Sequence, residues 1–291
     1  MKKTTKKTVT TVTETVSIDE KTLIAAILDC SGSMSSIIED AIGGFNEFLK
    51  NQKKLDDETN MTVALFDNRY DVLYNNVPLK EVKKLTRREW SPRGSTALYD
   101  AIGITINSLA NEISSMKKNE KPTKVLVAIV TDGYENSSKE YSANDIKKLI
   151  KQKEKEDWQF VYLAADQDAF NVGTSLGFSG GNTFSYTNTA AGNTVMFDSL
   201  SDATVKYRGM KKSMMGDIQY ASASANLFEG DENNLNVQDG TDINIVGSCT
   251  TTGDVTFKPA GMTTTEQDVA NSIYFPDEFE QNEDSDEEKE D

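Results

Sequence analysis

The chain has 291 residues, 37% of them hydrophobic, with a mean hydropathy of −0.53 and a formal net charge of −16. That length holds one large α/β domain with appendages or two small domains, and the acidic balance argues against duplex nucleic acid as a partner. Histidine is absent and there are two cysteines, which excludes Ser-His-Asp and Cys-His nucleophile systems, histidine bases and zinc held by histidine or thiolate clusters.

Residues 1–19 are rich in Thr and Lys, with Val9, Val12 and Val16 interspersed. They read equally well as an edge strand or as a mobile arm. No hydrophobic segment follows the basic start, so no signal peptide is expected. No run approaches the roughly 18 apolar residues that a membrane span needs. Cys30 and Cys249 lie far apart, and together with the missing leader this points to a reducing, cytoplasmic setting.

From Leu23 to Leu28 the chain is unbroken apolar, the pattern of a buried parallel strand. It stops at Asp29-Cys30-Ser31-Gly32-Ser33, so hard oxygen donors are delivered into a loop just before a helix. Any metal in this chain must be held by oxygen, which favours magnesium, manganese or calcium. Ile38, Ala41, Ile42, Phe45, Phe48 and Leu49 then recur at helical spacing, with Gly43-Gly44 inside implying close packing on the sheet. Met61–Phe66 and Val72–Val77 flank the turn-forming Asp67-Asn68 and predict an antiparallel hairpin at one sheet edge.

A turn-rich loop, Ser91 to Thr96, precedes a second helix carrying Ala97, Leu98, Ala101, Ile102, Thr105, Ile106, Leu109 and Ile113 on one face. Lys124–Gly133 repeats the opening design, a continuous apolar strand that ends in Asp132 and a glycine. Ser142 and Asp145 form a capping-box start to a basic helix through about Lys155. Trp158–Ala165 reads as a further buried strand, followed by a helix from about Asp168 to Leu176 and a weaker strand at Thr183–Tyr186. Met196, Leu200, Ala203 and Tyr207 mark a last helix. Alternating strands and helices predict an α/β fold with a doubly wound, mostly parallel sheet flanked by helices. In such sheets ligands bind beyond the carboxyl ends of the strands where the strand order reverses, and there Asp29 and Asp132 would meet.

From Gly216 onward the periodicity fades. The expected division is an arm at 1–19, the α/β domain at 20–215, a flexible extension at 216–275 and an acidic, disordered tail at 276–291. Within the extension, Ile243, Ile245, Val255 and Phe257 offer one weak hairpin across Thr250–Gly253. The tail from Asp277 to Asp291 holds ten acids against one lysine.

Asp29-x-Ser31-x-Ser33, Thr96 in Gly94–Asp100 and Asp132 in Thr131-Asp132-Gly133 match, in order, the three segments of the metal-ion-dependent adhesion site of von Willebrand factor A (VWA) domains. The surrounding words Thr131–Ser138 and Phe160–Asp168 resemble the stand-alone A-domain proteins of bacteria and their phages, over roughly residues 21–210. The resemblance implies a Rossmann-like fold in which Ser31 and Ser33 bind a divalent ion directly and Thr96 binds it directly or through water. It also implies that Asp29 and Asp132 contact the ion or its waters. One coordination position is then open to an Asp or Glu of a partner protein, and octahedral, partly hydrated binding suits magnesium best, with manganese or calcium as alternatives.

The function so implied is a metal-dependent protein–protein interaction module without catalysis or further cofactor, acting away from membranes and nucleic acid, its oligomeric state open. Two alternatives stand beside it. One is a structural component of a larger bacterial or phage assembly, virion-associated in a phage, whose metal only stabilises loops. The other is a metal-dependent phosphoester hydrolase, disfavoured because serine stands where D-x-D enzymes carry a second acid.

Taken singly, the site residues have plainer readings: Asp29 as a helix cap, the serines as a polar turn and Asp132 as a strand-end turn. Asp100 fits either a hydrogen-bond acceptor supporting the metal loop or a structural acid. Asp166-x-Asp168 reads as helix capping and Glu135 as an exposed loop acid. Gly177, Gly180 and Gly181 match neither a dinucleotide fingerprint nor a phosphate loop.

Overall fold

Apolar runs with no polar alternation can be satisfied only in the middle of a sheet covered on both faces. The computed structural model, which describes residues 20–165, 169–229 and 231 and the backbone of 235–238 and 242–245, builds that sheet. In chain order its elements are β1 (Thr22–Asp29), α1 (Ile38–Gln52), β2 (Thr59–Phe66), β3 (Tyr70–Pro78), α2 (Leu98–Ser115), β4 (Lys124–Thr131) and α3 (Ala143–Glu154). There follow β5 (Trp158–Ala165), α4 (Ala169–Ser175), β6 (Thr183–Tyr186), α5 (Ala190–Gly209), α6 (Lys212–Met215), α7 (Asp217–Ser224), β7 (Leu235–Gln238) and β8 (Asp242–Ile245).

Six strands form one sheet in the order β3-β2-β1-β4-β5-β6, parallel except for the edge strand β3. The order reverses between β1 and β4, as the sequence pattern predicts. Every residue of β1, β4 and β5 is buried. Alternate residues go to opposite faces. Ile24, Ala26, Leu28, Leu126, Ala128 and Val130 pack under α1 and α5, while Leu23, Ala25, Ile27, Val127 and Ile129 pack under α2 and α3. The hairpin of β2 and β3, the helix faces of α1 and α2 and the Ser142–Asp145 capping box all take their expected places.

The first face is closed by α1 against α5. Phe45 meets Trp90 and Phe197 edge-on at centroid distances of 6.2 and 6.3 Å. The buried Gln52 amide donates to Ser201 O at 3.0 Å, and Arg208 returns a bond to Gln52 O at 2.8 Å while pairing with Asp57. At the C-terminus of α5 the buried Lys124 ammonium donates to Arg208 O at 2.9 Å and to Met210 O, with Glu20 as its counter-ion at 2.7 Å. A cation at a helix C-terminus opposes the negative end of the macrodipole, so Lys124 ties the last long helix to the start of β4.

Three expectations change. The packed region runs past 215: Tyr220 of α7 and the following Leu227 and Phe228 are buried in the α1–α5 core. Their spacing is irregular and Ile218 beside them faces solvent, so no helical period announced them. The hairpin near 243–245 forms, but β8 pairs antiparallel with β7, Leu235 opposite Ile245. Its expected partners Val255 and Phe257 lie outside the described residues, as do the arm, the acidic tail and Asp166 and Asp168. The third change concerns the glycine pair of α1. A Cβ on Gly44 would stand 2.3 Å from Phe197 Cδ2, so Gly44 serves the contact with α5 rather than with the sheet, whereas Gly43 has nothing within 4 Å. No helix among the described residues is long and apolar enough to cross a membrane.

Thermal melts should therefore separate two neighbouring glycines. Gly43→Ala should raise the melting temperature, with a gain of up to about 1 kcal/mol from helix propensity. Gly44→Ala should lower it, because Phe197 must leave its packed position.

Candidate metal centre

Strand register assembles the site. Parallel pairing of Leu28 with Val130 sets Asp29 beside Thr131 and carries Asp132 one residue beyond the sheet. The Thr131 hydroxyl donates to Asp29 Oδ2 and the Ser31 amide to Asp29 Oδ1, both at 2.6 Å. The Ser31 and Ser33 hydroxyls lie 2.9 Å apart, and Ser33 Oγ donates to Asp132 Oδ1 at 2.6 Å. Thr96 completes the group. A Cβ placed on Gly133 would lie 3.1 Å from Thr96 Oγ1, 3.3 Å from Ser33 Oγ and 3.8 Å from Asp29 Oδ2. A side chain there would crowd into the oxygens, which gives a physical reason for glycine after Asp132.

All five predicted residues, Asp29, Ser31, Ser33, Thr96 and Asp132, thus converge at the carboxyl ends of β1 and β4. Asp29, Ser31 and Thr96 are buried, Asp132 is half-buried and Ser33 is exposed, so the group has a closed floor and an open mouth. A shallow depression beside Met215, Ile218 and Ala223 includes none of these residues.

The loop from Trp90 to Ala97 is laced onto the strand ends. Trp90 Nε1 donates to Asp29 O at 2.8 Å, Arg93 N to Cys30 O at 2.7 Å, Gly32 N to Gly94 O at 3.1 Å and Ala97 N to Asp67 O at 3.0 Å. Gly94 adopts φ +65°, and a Cβ there would strike Asn68 Oδ1 at 2.3 Å, so this crossing requires glycine. Thr96 is gripped by Asn136, whose Oδ1 accepts from Thr96 N at 2.9 Å and whose N donates to Thr96 O at 3.0 Å. The buried Cys30 thiol donates to Ser91 O at 2.8 Å, and burial pushes its pKa up to about 11, so it serves as a small packed side chain within this lacing.

Burial also dominates Asp29. It outweighs the hydrogen bonds from Thr131 and Ser31, and Asp132 adds repulsion, so the carboxyl is pushed up to about 6. Among the described residues no three His, Cys, Asp or Glu side chains gather as a metal-binding group. What gathers is two carboxylates with three neutral hydroxyls. That donor set fits a hard divalent cation, which would also relieve the buried charge, and it offers nothing to a soft metal.

Asp100 and Glu135 are structural. Asp100 accepts from the amides of Lys139, Glu140 and Tyr141 at 2.8, 2.9 and 2.9 Å, anchoring the loop before α3. Glu135 accepts from Tyr99 N at 3.1 Å, Ser137 N at 2.9 Å and Ser138 N at 2.7 Å, and so caps the start of α2 instead of lying free in a loop. Three contributors to the site carry no signal that the sequence pattern exploits. Asp67 is wholly buried and receives Arg93 Nε at 3.0 Å and Arg69 N at 2.6 Å, Trp90 props Asp29, and Asn188 places its amide 3.4 Å from Asp132 Oδ2. Thr131 was visible as the hydroxyl before Asp132, but only the register reveals that it faces Asp29.

No protein-family model matches the chain, and no curated protein matches it. Solved structures do. It is similar to proximal thread matrix protein 1 from the mussel byssus, at 17% identity and a TM-score of 0.47, covering 63% of this chain and 46% of that one. It is also similar to the ArnB paralog VWA2 of Sulfolobus acidocaldarius, at 16% and 0.45 over 62% and 45% of the two chains. A third is the manganese-loaded TRAP protein of Plasmodium vivax, at 16% and 0.46 over 61% and 72%. The chain thus spans less than half the length of the first two.

Replacing the buried charge should stabilise the chain when divalent ions are withheld. In chelator at pH 7.5, Asp29→Asn should melt higher than wild type, by up to about 3 kcal/mol for a shift of some two pKa units. Its amide can give to Thr131, whose hydroxyl turns to Gly133 O, 3.1 Å away. Because the native carboxyl binds its proton more tightly than the unfolded one, wild-type stability relative to this variant should fall as pH rises from about 4 to about 6 and level off above. Chelator melts of both proteins across that range check it.

Proposed function

We propose that the chain is a protein-binding module that works through a divalent cation, magnesium by preference, held by Asp29, Ser31, Ser33, Thr96 and Asp132. The observation that carries this reading is the convergence of these five side chains at the point where the strand order reverses, closed below and open at Ser33 and Asp132. The match of their spacing to the adhesion site of VWA domains supports it.

Two carboxylates leave a divalent ion short of its preferred oxygen ligands, so the bound cation supplies attraction for a further anionic oxygen. The chain's own part is to hold the donors in place beforehand. Asp29 is fixed by Thr131 and Ser31, Thr96 by Asn136, and Asp132 by Ser33 and Asn188. Preorganised donors reduce the ordering that binding must otherwise impose. A partner's Asp or Glu at the open mouth is the ligand we assign.

A non-catalytic role is supported by where the hydroxyls point. Ser31 bonds Ser33 and Ser33 bonds Asp132, and the chain has no histidine to activate either. The two cysteines and the buried thiol of Cys30 support a cytoplasmic setting.

The test combines calorimetry and capture. Wild type should bind magnesium, and Asp132→Ala should bind it at least about tenfold more weakly, equivalent to about 1.4 kcal/mol. A partner recovered from source-cell lysate in magnesium should be lost both in chelator and with Asp132→Ala. Partners retained in both conditions, alongside melts that still respond to magnesium, would instead favour a structural part whose metal only stiffens its loops.

A further inference from the structure

We infer that Tyr134 is a specificity determinant of this site, and that the partner segment carries an apolar or aromatic side chain within two residues of its Asp or Glu. The inference rests on the cation-dependent reading above and names the chemistry of its partner.

Among the described residues the large hydrophobic side chains that stand exposed are Val72, Tyr134, Phe170, Val205, Met214 and Ile218. Of these, Tyr134 is the one within two residues of a predicted site residue, Asp132, and it is 63% exposed. A single exposed aromatic is ordinary by itself. Its mounting is not. On one side Gly133 N donates to Thr131 Oγ1 at 3.2 Å. On the other, Glu135 is held by the amides of Tyr99, Ser137 and Ser138, and Asn136 is bonded to Thr96 through both its amide and its side chain. The chain on either side of Tyr134 is therefore anchored, at Asn136 by the bonds that also hold Thr96, while Tyr134 itself stands largely exposed.

A rigidly mounted, exposed tyrosine offers a large contact at small entropic loss, which is why tyrosine is over-represented among residues that dominate binding energy. Geometry sets its reach. Consecutive Cα atoms lie about 3.8 Å apart, so Cα atoms one or two positions from the acid residue fall within about 7 Å of its own Cα. The Cα of Tyr134, two residues from Asp132, lies within the same span of the Cα of Asp132. A segment seated by its carboxylate therefore carries flanking side chains within the same span of the site as Tyr134. The carboxylate supplies attraction common to any acid, and the ring chooses among acids.

The probe is a phage-displayed library of random heptapeptides, selected on the full chain in magnesium and in EDTA, with Tyr134→Ala and Tyr134→Phe alongside. Wild type in magnesium should enrich Asp or Glu, with apolar or aromatic residues co-enriched within two positions. Tyr134→Phe should do the same. Tyr134→Ala should keep the acid and lose the co-enrichment, and a peptide selected on wild type should bind it at least tenfold more weakly while its magnesium affinity stays within twofold. Acid enrichment without an apolar neighbour, or a neighbour that survives Tyr134→Ala, overturns the inference and leaves the metal reading standing. Absence of magnesium-dependent acid enrichment overturns both.

Discussion

The Asp29 carboxylate sits at the end of β1 with no exposed surface, receiving bonds from Thr131 and Ser31 while its own carbonyl receives the indole of Trp90. A buried carboxylate in a sheet interior is expensive unless its charge is answered. The surrounding loops are arranged about that constraint. Cys30 continues into the bond to Phe66 O, Gly32 into the bond to Gly94 O, and Arg93 folds back on Cys30 O. Three loops that are distant in sequence are therefore tied to one strand end. Removing the lacing would free the oxygens that the site depends on.

A second buried acid behaves in the opposite way. Asp67, as inaccessible as Asp29, is answered within the chain by Arg93 and Arg69. Arg93 also pairs with Asp71, so the guanidinium is committed to the β2–β3 turn and the loop above it. One carboxylate closes a structural bridge, while the other is answered only by a hydroxyl and an amide. The bridge supplies order, and Asp29 with Asp132 supplies the charge.

Most of this was legible in the sequence because its signals are local. Continuous apolar runs gave β1, β4 and β5, and their shared ending in a carboxylate pointed to one sheet edge. Register brings Asp29 and Asp132 to that edge, whereas Ser31, Ser33 and Thr96 were named through the resemblance of their spacing to the adhesion-site motif. What was not legible depends on distance. Asn188 reaches Asp132 only because the loop after β6 crosses the end of β5, which lies between β6 and β4, and Asp67 reads as a turn residue until Arg93 is brought over it. The packed segment after 216 buries Tyr220, Leu227 and Phe228 at no regular interval. Asp239-Gly240 is a short-hairpin signal, and it lies between the paired strands β7 and β8.

The most direct measurement is an anomalous difference map from crystals of the full chain grown with manganese chloride. The account predicts a peak at the carboxyl ends of β1 and β4, bounded by the oxygens of Asp29, Ser31, Ser33, Thr96 and Asp132, and no such peak in crystals of Asp29→Ala. A map with no manganese among those side chains, or with the ion held elsewhere by other acids, would contradict it.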